Sequence, residues 1–223
     1  MSSAAVLGRD VVRVLFGDCV HPVEFRALRI GRSAFFQVDD YVGMYRFCQE
    51  HASADLGIFW GVATRDGDGR GLRHCRELPA LFIDADLLDE VRLHRFPFRP
   101  TCVVASGRPK GAHVYWKLKE PLDLQVDVER ASGLLRRLAF CLDADMSAAE
   151  PARVLRVVGT RNPKYVRAPL VSVQGLSPRT STTRPTSTHG CPTCRRHKNP
   201  SWSTCRSQSR PIATSICIGT GAA

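Results

Sequence analysis

Two aspartates at the end of an apolar run are the residues of this chain best suited to chemistry. Residues 78–88 read LPALFIDADLL, so a predicted buried strand delivers Asp84 and Asp86 at its end. Residues two apart on a strand share a face, and we therefore expect the two carboxylates to emerge side by side. Adjacent carboxylates repel each other unless a cation neutralises them, and divalent metal ions are the usual partners. The pair indicates metal-dependent phosphoryl chemistry, whereas the plainer interpretation is a solvated acidic turn.

A glycine-bearing turn between two predicted strands is the second candidate. Residues 103–116 read VVASGRPKGAHVYW. Backbone amides in a turn of this kind approach phosphate oxygens closely, and Arg108, Lys110 and His113 would add charge or hydrogen bonds. The plainer interpretation is an ordinary hairpin with a basic turn and a histidine satisfied in the core.

The third candidate is residues 143–164, with the sequence DADMSAAEPARVLRVVGTRNPK. An acidic turn precedes a short predicted strand that carries Arg153 and Arg156, and a Gly-Thr-Arg-Asn-Pro-Lys loop follows. Arginine binds phosphate in a bidentate manner, and Asp145 could complete a metal site begun by Asp84 and Asp86. Alternatively, the arginines pair with nearby acids on a polar surface, where such pairs contribute little.

Taken in this order, the three segments resemble the archaeo-eukaryotic primase superfamily. The resemblance is greatest to RepB-like primase and primase–polymerase domains of plasmids, phages and integrated elements. It spans roughly residues 56–164, and residues 35–51 match the amino-terminal unit that accompanies them.

The resemblance implies a set of site residues. Two Mg²⁺ or Mn²⁺ ions would be held by Asp84, Asp86 and Asp145, with Asp143 a competitor for the third position, and His113 would contact the incoming nucleotide. The further positions that match nucleotide- and DNA-binding motifs, together with the nearby basic Lys110, are Ser106, Gly107, Lys110, Arg153, Arg156, Gly159, Thr160, Asn162 and Lys164.

The chain departs from the family pattern at two places. The turn between Ser106 and His113 is longer than the compact Ser-Gly-x-Gly-x-His form, and Val158 stands where these domains usually carry proline.

The activity implied by the resemblance is that of a nucleotidyltransferase, a DNA primase or primase–polymerase. It would perform template-directed, two-metal nucleotidyl transfer on single-stranded DNA, with nucleoside triphosphates as substrates and a replicative helicase as a candidate partner in trans. Two alternatives stay open: a catalytically inactive replication initiator or DNA-binding module of the same fold, and a two-metal nuclease.

The expected architecture is α/β with two layers. A mixed or antiparallel sheet covered by helices would follow a small amino-terminal αβ unit. Apolar periodicity predicts helices at residues 41–48 and 125–142, the first capped by Asp39 or Asp40. The predicted strands are residues 56–63, 78–88, 101–106, 112–118, 153–158 and 169–173.

Composition divides the chain at residue 174. Of 32 basic residues, seven lie from Gln174 onward, where there is no acid, whereas the preceding body carries 25 basic and 21 acidic residues. We expect a primase-like domain at residues 1–174 and a basic, disordered or aberrant tail at residues 175–223, the product of a truncated or frame-shifted gene end. Four residues of this tail have the spacing of a weak zinc site: Cys191, Cys194, His197 and Cys205.

The sequence shows no secretory signal and no apolar run long enough to span a membrane, so we expect a cytoplasmic protein. The five cysteines before residue 174 lie mostly in apolar segments and are expected to be reduced core residues.

Overall fold

The computed structural model describes residues 3–51 and 56–177, with only the backbone described for residues 3–7. The helices are α1 (Ser3–Phe16), α2 (Tyr41–His51), α3 (Glu90–Arg95) and α4 (Val128–Leu142). The strands are β1 (Val23–Ala27), β2 (Arg32–Phe36), β3 (Ile58–Gly61), β4 (Glu77–Ala85), β5 (Cys102–Ala105), β6 (Ala112–Asp123), β7 (Val154–Arg156) and β8 (Ser172–Leu176).

The strands form two four-stranded sheets in which every pairing is antiparallel. The first has the order β2-β1-β3-β7, so its last strand joins from almost a hundred residues further along the chain. The second has the order β4-β6-β5-β8, with β6 in contact with both β4 and β5. The chain therefore passes from the second sheet to the first between β6 and β7.

Aromatic residues join the two sheets in the core. Trp60 of β3 is fully buried and packs edge-to-face against Phe16 and Phe25. Its indole Nε1 donates to the Tyr115 hydroxyl of β6 over 3.4 Å. This contact fixes the first sheet against the face of the second that also carries His113, because His113 and Tyr115 are two apart on one strand.

Helix α4 covers β4 through a stripe of apolar residues: Ala131, Leu135, Leu138, Ala139 and Leu142. It ends at Asp143, whose φ of 54° lies in the left-handed region that terminates helices. The chain then turns back, and the Asp145 N–H donates to the Asp84 carbonyl oxygen over 2.9 Å. The helix thereby brings the acidic turn to the end of the aspartate-bearing strand.

The predicted α/β architecture is confirmed, with several corrections. The sequence left residues 10–16 unassigned, but they belong to α1, and β1, β2 and α3 were not predicted. Strand β4 ends at Ala85, so Asp86 lies beyond it rather than on the same strand face as Asp84. The expected boundary at residue 174 falls inside β8, which continues to Leu176.

The rest of the predicted tail, with the candidate zinc ligands, lies outside the described residues. Within residues 3–51 and 56–177, no helix combines the length and apolar character needed to cross a bilayer.

Candidate active site

Asp84 is a half-buried carboxylate at the end of β4. It lies directly opposite His113 in the β4–β6 register, and its side chain is only 23% exposed. It accepts no hydrogen bond from the described residues, and the nearest basic nitrogen, His113 Nε2, is 3.8 Å from Oδ1. The pKa of Asp84 is raised to about 6: burial is the largest cause, the charges of Asp86 and Asp145 act in the same direction, and two arginines oppose them. The charged form of Asp84 would therefore be stabilised by a bound cation.

Asp145 is the second acid of the cluster. Besides its backbone bond to Asp84, it caps the short 3₁₀ helix Met146–Ala148, because its Oδ1 accepts from the Ser147 N–H over 2.8 Å. Its Oδ2 is 3.7 Å from Arg153 Nη2. Burial acts to raise the pKa of Asp145, but the Ser147 hydrogen bonds and the Arg153 charge outweigh it and lower the pKa.

Asp143, the competitor for this position, lies elsewhere. Its side chain is 83% exposed, and its nearest cation is Arg92, at 3.9 Å. The structure therefore brings Asp145, and not Asp143, to Asp84.

Asp86 is the most exposed acid of the cluster. It follows the end of β4, its side chain is 68% exposed, and it forms an ion pair with Nη1 of Arg108. The hydrogen bond from this guanidinium to Asp86 raises the pKa of Arg108. Two of the three acids are thus paired with arginines.

These ion pairs determine which carboxylate oxygens are free to bind a metal ion. In the described part of the chain, no three His, Cys, Asp or Glu side chains are arranged to hold one as they stand. Asp86 is directed to Arg108 and Asp145 to Ser147 and Arg153, whereas Asp84 has no hydrogen-bond partner. The donor set nevertheless fits Mg²⁺ or Mn²⁺, since carboxylate oxygens are the ligands these ions prefer and the three acids interact electrostatically.

His113 lies in the floor of the site. It is 3% exposed, and its Nδ1 is buried without a hydrogen-bond partner. Burial, with smaller contributions from the charges of Arg156 and Arg153, lowers the pKa of His113 to about 3. The imidazole is therefore neutral near pH 7. Its contact with an incoming nucleotide stays a prediction.

The Ser106–Gly111 turn is held closed by its own backbone. Ser106 N–H donates to the Gly111 carbonyl and Gly111 N–H to the Arg108 carbonyl, each over 3.0 Å. The Lys110 carbonyl accepts from Leu88 N–H over 2.8 Å, which ties the turn to the segment that follows Asp86. The Lys110 side chain itself is exposed.

The loop of residues 159–164 packs against this turn through Asn162. The Asn162 side chain is buried; its Nδ2 donates to the Ser106 carbonyl over 2.9 Å, and its Oδ1 accepts from Lys164 N–H over 3.2 Å. The Thr160 hydroxyl is also buried and donates to the Val157 carbonyl over 2.7 Å. Both side chains thus hold the loop in place, whereas Lys164 is exposed and has no carboxylate partner among the described residues.

Val158, in the place of the family proline, does not leave the loop loose. It is buried, and the next residues are fixed by backbone bonds of 2.8 Å from Gly159 N–H to the Val171 carbonyl and from Val171 N–H to the Thr160 carbonyl.

Two arginines at strand β7 supply positive charge beside the acids. Arg156 lies over the Phe59 ring, with Cζ 4.6 Å from the ring centroid, and its Nη1 is buried without a partner. Burial lowers the pKa of Arg156. Arg153 reaches Asp145 from the same segment. An unpartnered guanidinium N–H beside a carboxylate cluster suits an anionic ligand such as a phosphate.

The residue that sequence reasoning left outside its set of site residues is Arg108. It was noted only as a basic residue of the turn, although its position two residues after Ser106 in an extended turn is a sequence feature that sets it apart.

No family model matches the chain, and no curated protein matches its sequence. Solved structures do match. The primase–polymerase domain of cyanophage S-2L is similar with a TM-score of 0.58 at 17% identity, over 77% of this chain and 90% of that one. The catalytic domain of primase RepB′, solved in complex with initiator DNA, is similar with a TM-score of 0.57 at 16% identity, over 79% and 88% of the two chains. The expected architecture is confirmed, and the chain shares its fold with the cyanophage primase–polymerase domain and the RepB′ catalytic domain.

Proposed function

We propose that this chain is a DNA primase or primase–polymerase domain that performs template-directed nucleotidyl transfer with two divalent metal ions. The observation that carries the proposal is the position of Asp84. It is a half-buried carboxylate without a hydrogen-bond partner among the described residues; the Asp145 N–H donates to the Asp84 backbone carbonyl, and Asp86 is two residues away. A fold of this class with such a cluster is suited to phosphoryl chemistry on nucleotides.

In this reaction a 3′-hydroxyl oxygen bonds to the α-phosphorus of a nucleoside triphosphate. The bond from that phosphorus to the bridging oxygen breaks, pyrophosphate leaves, and the hydroxyl proton passes to solvent. Mg²⁺ or Mn²⁺ ions bound by Asp84, Asp86 and Asp145 would lower the pKa of the hydroxyl and stabilise the leaving group.

The other residues bind and orient. Arg153 and Arg156 provide charge for the triphosphate, with Lys110 and Lys164 at the exposed rim of the turn and the loop. Asn162 and Thr160 keep that loop packed against the Ser106 turn. His113 would act as a neutral hydrogen-bonding group, because its depressed pKa excludes a charged imidazole at neutral pH.

A single-stranded DNA template would lie along the basic surface, where Lys and Arg neutralise phosphates. The RepB′ primase that shares the fold was solved with initiator DNA, which supports a nucleic-acid partner for this chain.

The test is primer synthesis and primer extension on single-stranded DNA with ribo- or deoxynucleoside triphosphates and Mn²⁺. We expect incorporation by the wild-type chain and a loss of at least a hundredfold in the double variant Asp84→Ala/Asp86→Ala and in Asp145→Ala. The control is Asp143→Asn, which removes the charge of an exposed acid two residues before Asp145 and keeps a residue that tolerates the left-handed φ; it should retain activity. Full activity of the Asp84/Asp86 double variant would refute the site.

One observation favours a second candidate, a DNA-binding module without catalysis. Asp86 and Asp145 are paired with arginines, as in a site that has given up metal binding. That candidate predicts single-stranded DNA binding without metal-dependent incorporation in the same assay. DNA cleavage without any need for nucleotides would indicate a two-metal nuclease instead.

A further inference from the structure

The contact between Arg108 and Asp86 is the feature that the proposed reaction leaves without a use. Arg108 donates to Oδ1 of Asp86, an acid that the proposed function assigns to metal binding. A guanidinium at that oxygen takes up one acceptor site of the carboxylate and repels a divalent ion that approaches the same group. Metal binding by Asp86 therefore competes with this ion pair.

Backbone hydrogen bonds hold the turn that carries Arg108 beside Asp86. The Ser106–Gly111 turn is closed by two hydrogen bonds, and the bond from Leu88 N–H to the Lys110 carbonyl fastens it to the segment just after Asp86. The positive φ of Lys110, 58°, is part of the same tight geometry. The arginine belongs to the stretch that makes this turn longer than the compact Ser-Gly-x-Gly-x-His form, so the pairing is a property of this chain's own turn.

The triphosphate of the proposed reaction would offer Arg108 an alternative partner. The Arg108 side chain is 38% exposed, so it can rotate away from Asp86 without disrupting the core. The turn that carries it adjoins the Asn162 loop and its exposed Lys164. The phosphates of a bound nucleotide would offer the released guanidinium the bidentate acceptor that it prefers.

We propose that Arg108 is an exchangeable cation of the active site: it occupies Asp86 while metal is absent, and divalent metal displaces it onto the triphosphate of the incoming nucleotide. This inference rests on the proposed function, since it takes Asp86 as a metal ligand. Its consequence is coupling between the two ligands, because a bound triphosphate stabilises the conformation in which Asp86 is free for metal.

The first measurement is Mn²⁺ binding to the metal-free full-length chain, monitored through the electron paramagnetic resonance signal of free Mn²⁺. Removal of the competing guanidinium in Arg108→Gln should tighten Mn²⁺ binding about three- to fivefold, the scale of an exposed ion pair. The matched control is Lys110→Gln, which removes a positive charge from the same turn that has no carboxylate partner among the described residues. It should change Mn²⁺ affinity by less than about twofold.

The second measurement is binding of a fluorescent nucleoside triphosphate at saturating Mn²⁺. Arg108→Gln should weaken it about threefold or more, so that this one variant shifts metal and nucleotide affinity in opposite directions. A residue with a merely structural role would not produce that pair of changes. Circular dichroism and thermal unfolding of both variants check that the turn substitutions leave the fold intact.

The outcomes separate this inference from the proposed function. Unchanged Mn²⁺ affinity in Arg108→Gln, or a gain no larger than that of Lys110→Gln, overturns the exchange even if the wild-type chain incorporates nucleotides. Tighter Mn²⁺ binding with unchanged nucleotide binding overturns the transfer to the triphosphate. If neither the wild type nor Arg108→Gln binds Mn²⁺, the inference and the two-metal function fail together.

Discussion

Asp84 and His113 face each other across β4 and β6 and have opposite preferences for protons. Burial raises the pKa of the carboxyl to about 6 and lowers that of the imidazole to about 3. At neutral pH the folded protein therefore holds a charged Asp84 at a cost and a neutral His113 without one. A residue that is costly to the fold and directed at a cluster of like charges is better explained by function than by stability.

This cost can be measured with Asp84→Asn in metal-chelated buffer. Above the folded-state pKa of Asp84, the charged carboxylate lowers the free energy of unfolding because burial disfavours the charge. The isosteric amide of asparagine carries no charge and removes that loss. We expect the variant to be more stable than wild type by about 1 to 3 kcal/mol at pH 7, falling toward zero at pH 4, where Asp84 is protonated in the folded state. Urea unfolding at both pH values measures the difference.

The control for this prediction is Asp143→Asn. The residue is exposed and has a left-handed φ that asparagine tolerates, so stability should change by less than about 0.5 kcal/mol at either pH. A second check concerns His113. Its depressed pKa removes stability as the pH falls from 6.5 toward 3, and this slope should become visible once the opposing contribution of Asp84 is gone. An Asp84→Asn variant less stable than wild type at pH 7 would contradict the argument.

The sequence predicted the position of a site residue only where a regular element or the order of the motifs determines that position. The pairing of Asp84 with a later acid followed from the order of the segments, and the structure places Asp145 there. The direction of Asp86 did not follow, because the two-residue period of a strand applies only inside a strand and β4 ends at Ala85. Nor could a pattern along the chain assign Arg108 as its partner, since that pairing depends on how a turn twenty residues later folds back.

At the scale of elements, the site depends on how closely the Ser106 turn and the Asn162 loop approach each other. Gly107 makes that approach possible: its φ is +73°, and a Cβ placed there would lie 2.7 Å from Asn162 Cβ and 3.0 Å from the Pro169 carbonyl. Neither neighbour can yield easily, because Asn162 is held through both ends of its amide. Glycine is the residue that both the backbone conformation and the space require.

We therefore expect Gly107→Ala to destabilise the fold by about 2 to 4 kcal/mol and to lower nucleotide incorporation at temperatures where the variant is still folded. The matched control is Gly133→Ala in α4, where an added methyl meets nothing within 4 Å. Alanine in a helix interior should raise stability there by about 0.5 to 1 kcal/mol. Thermal unfolding of both variants gives the comparison, and equal effects of the two substitutions would show that the turn and the loop are not packed as described.

The elements that periodicity predicted share one property: an apolar pattern that does not need distant partners. Helix α4 and strands β4 and β6 are of this kind. Strand β1 is not, because it buries Glu24 completely, and that carboxylate is neutralised by Arg26 and by Arg65, which lies outside the strand. In the sequence, a glutamate such as Glu24 indicates an exposed position unless its distant partner is known. The amino-terminal strands were therefore not predicted.

At the scale of the whole molecule, the two sheets are built from interleaved parts of the chain. The sequence predicted a small amino-terminal αβ unit ahead of the main sheet. In the structure the amino-terminal sheet is completed by β7, which pairs with β3 after the chain has formed three strands of the second sheet. This return is what carries Arg153 and Arg156 close enough to Asp84 to lower its pKa. The site is a product of the topology, and the order of the motifs along the chain reflects it without revealing which sheet each strand joins.

Most of the net positive charge of the chain comes from residues that follow the last described strand. Both sheets are complete at Leu176, whereas seven basic residues lie at positions 179–210. A chain that ends at Ser177 should therefore keep the wild-type melting temperature within about 2 °C, and it should still incorporate nucleotides at low salt. Its affinity for single-stranded DNA should be weaker and less dependent on salt, because fewer phosphates are neutralised.

Titration of a fluorescent oligonucleotide at several salt concentrations measures this difference. Each phosphate contact contributes about 0.7 to the slope of log K against log salt for a single strand, so the loss of seven basic residues should reduce the slope by as much as about 5. The control is a full-length variant with the seven basic residues replaced by glutamine, which should match the shortened chain. An unchanged slope would place all the DNA contacts in residues 1–177, whose 25 basic and 21 acidic residues would then have to bind DNA through local clusters rather than net charge.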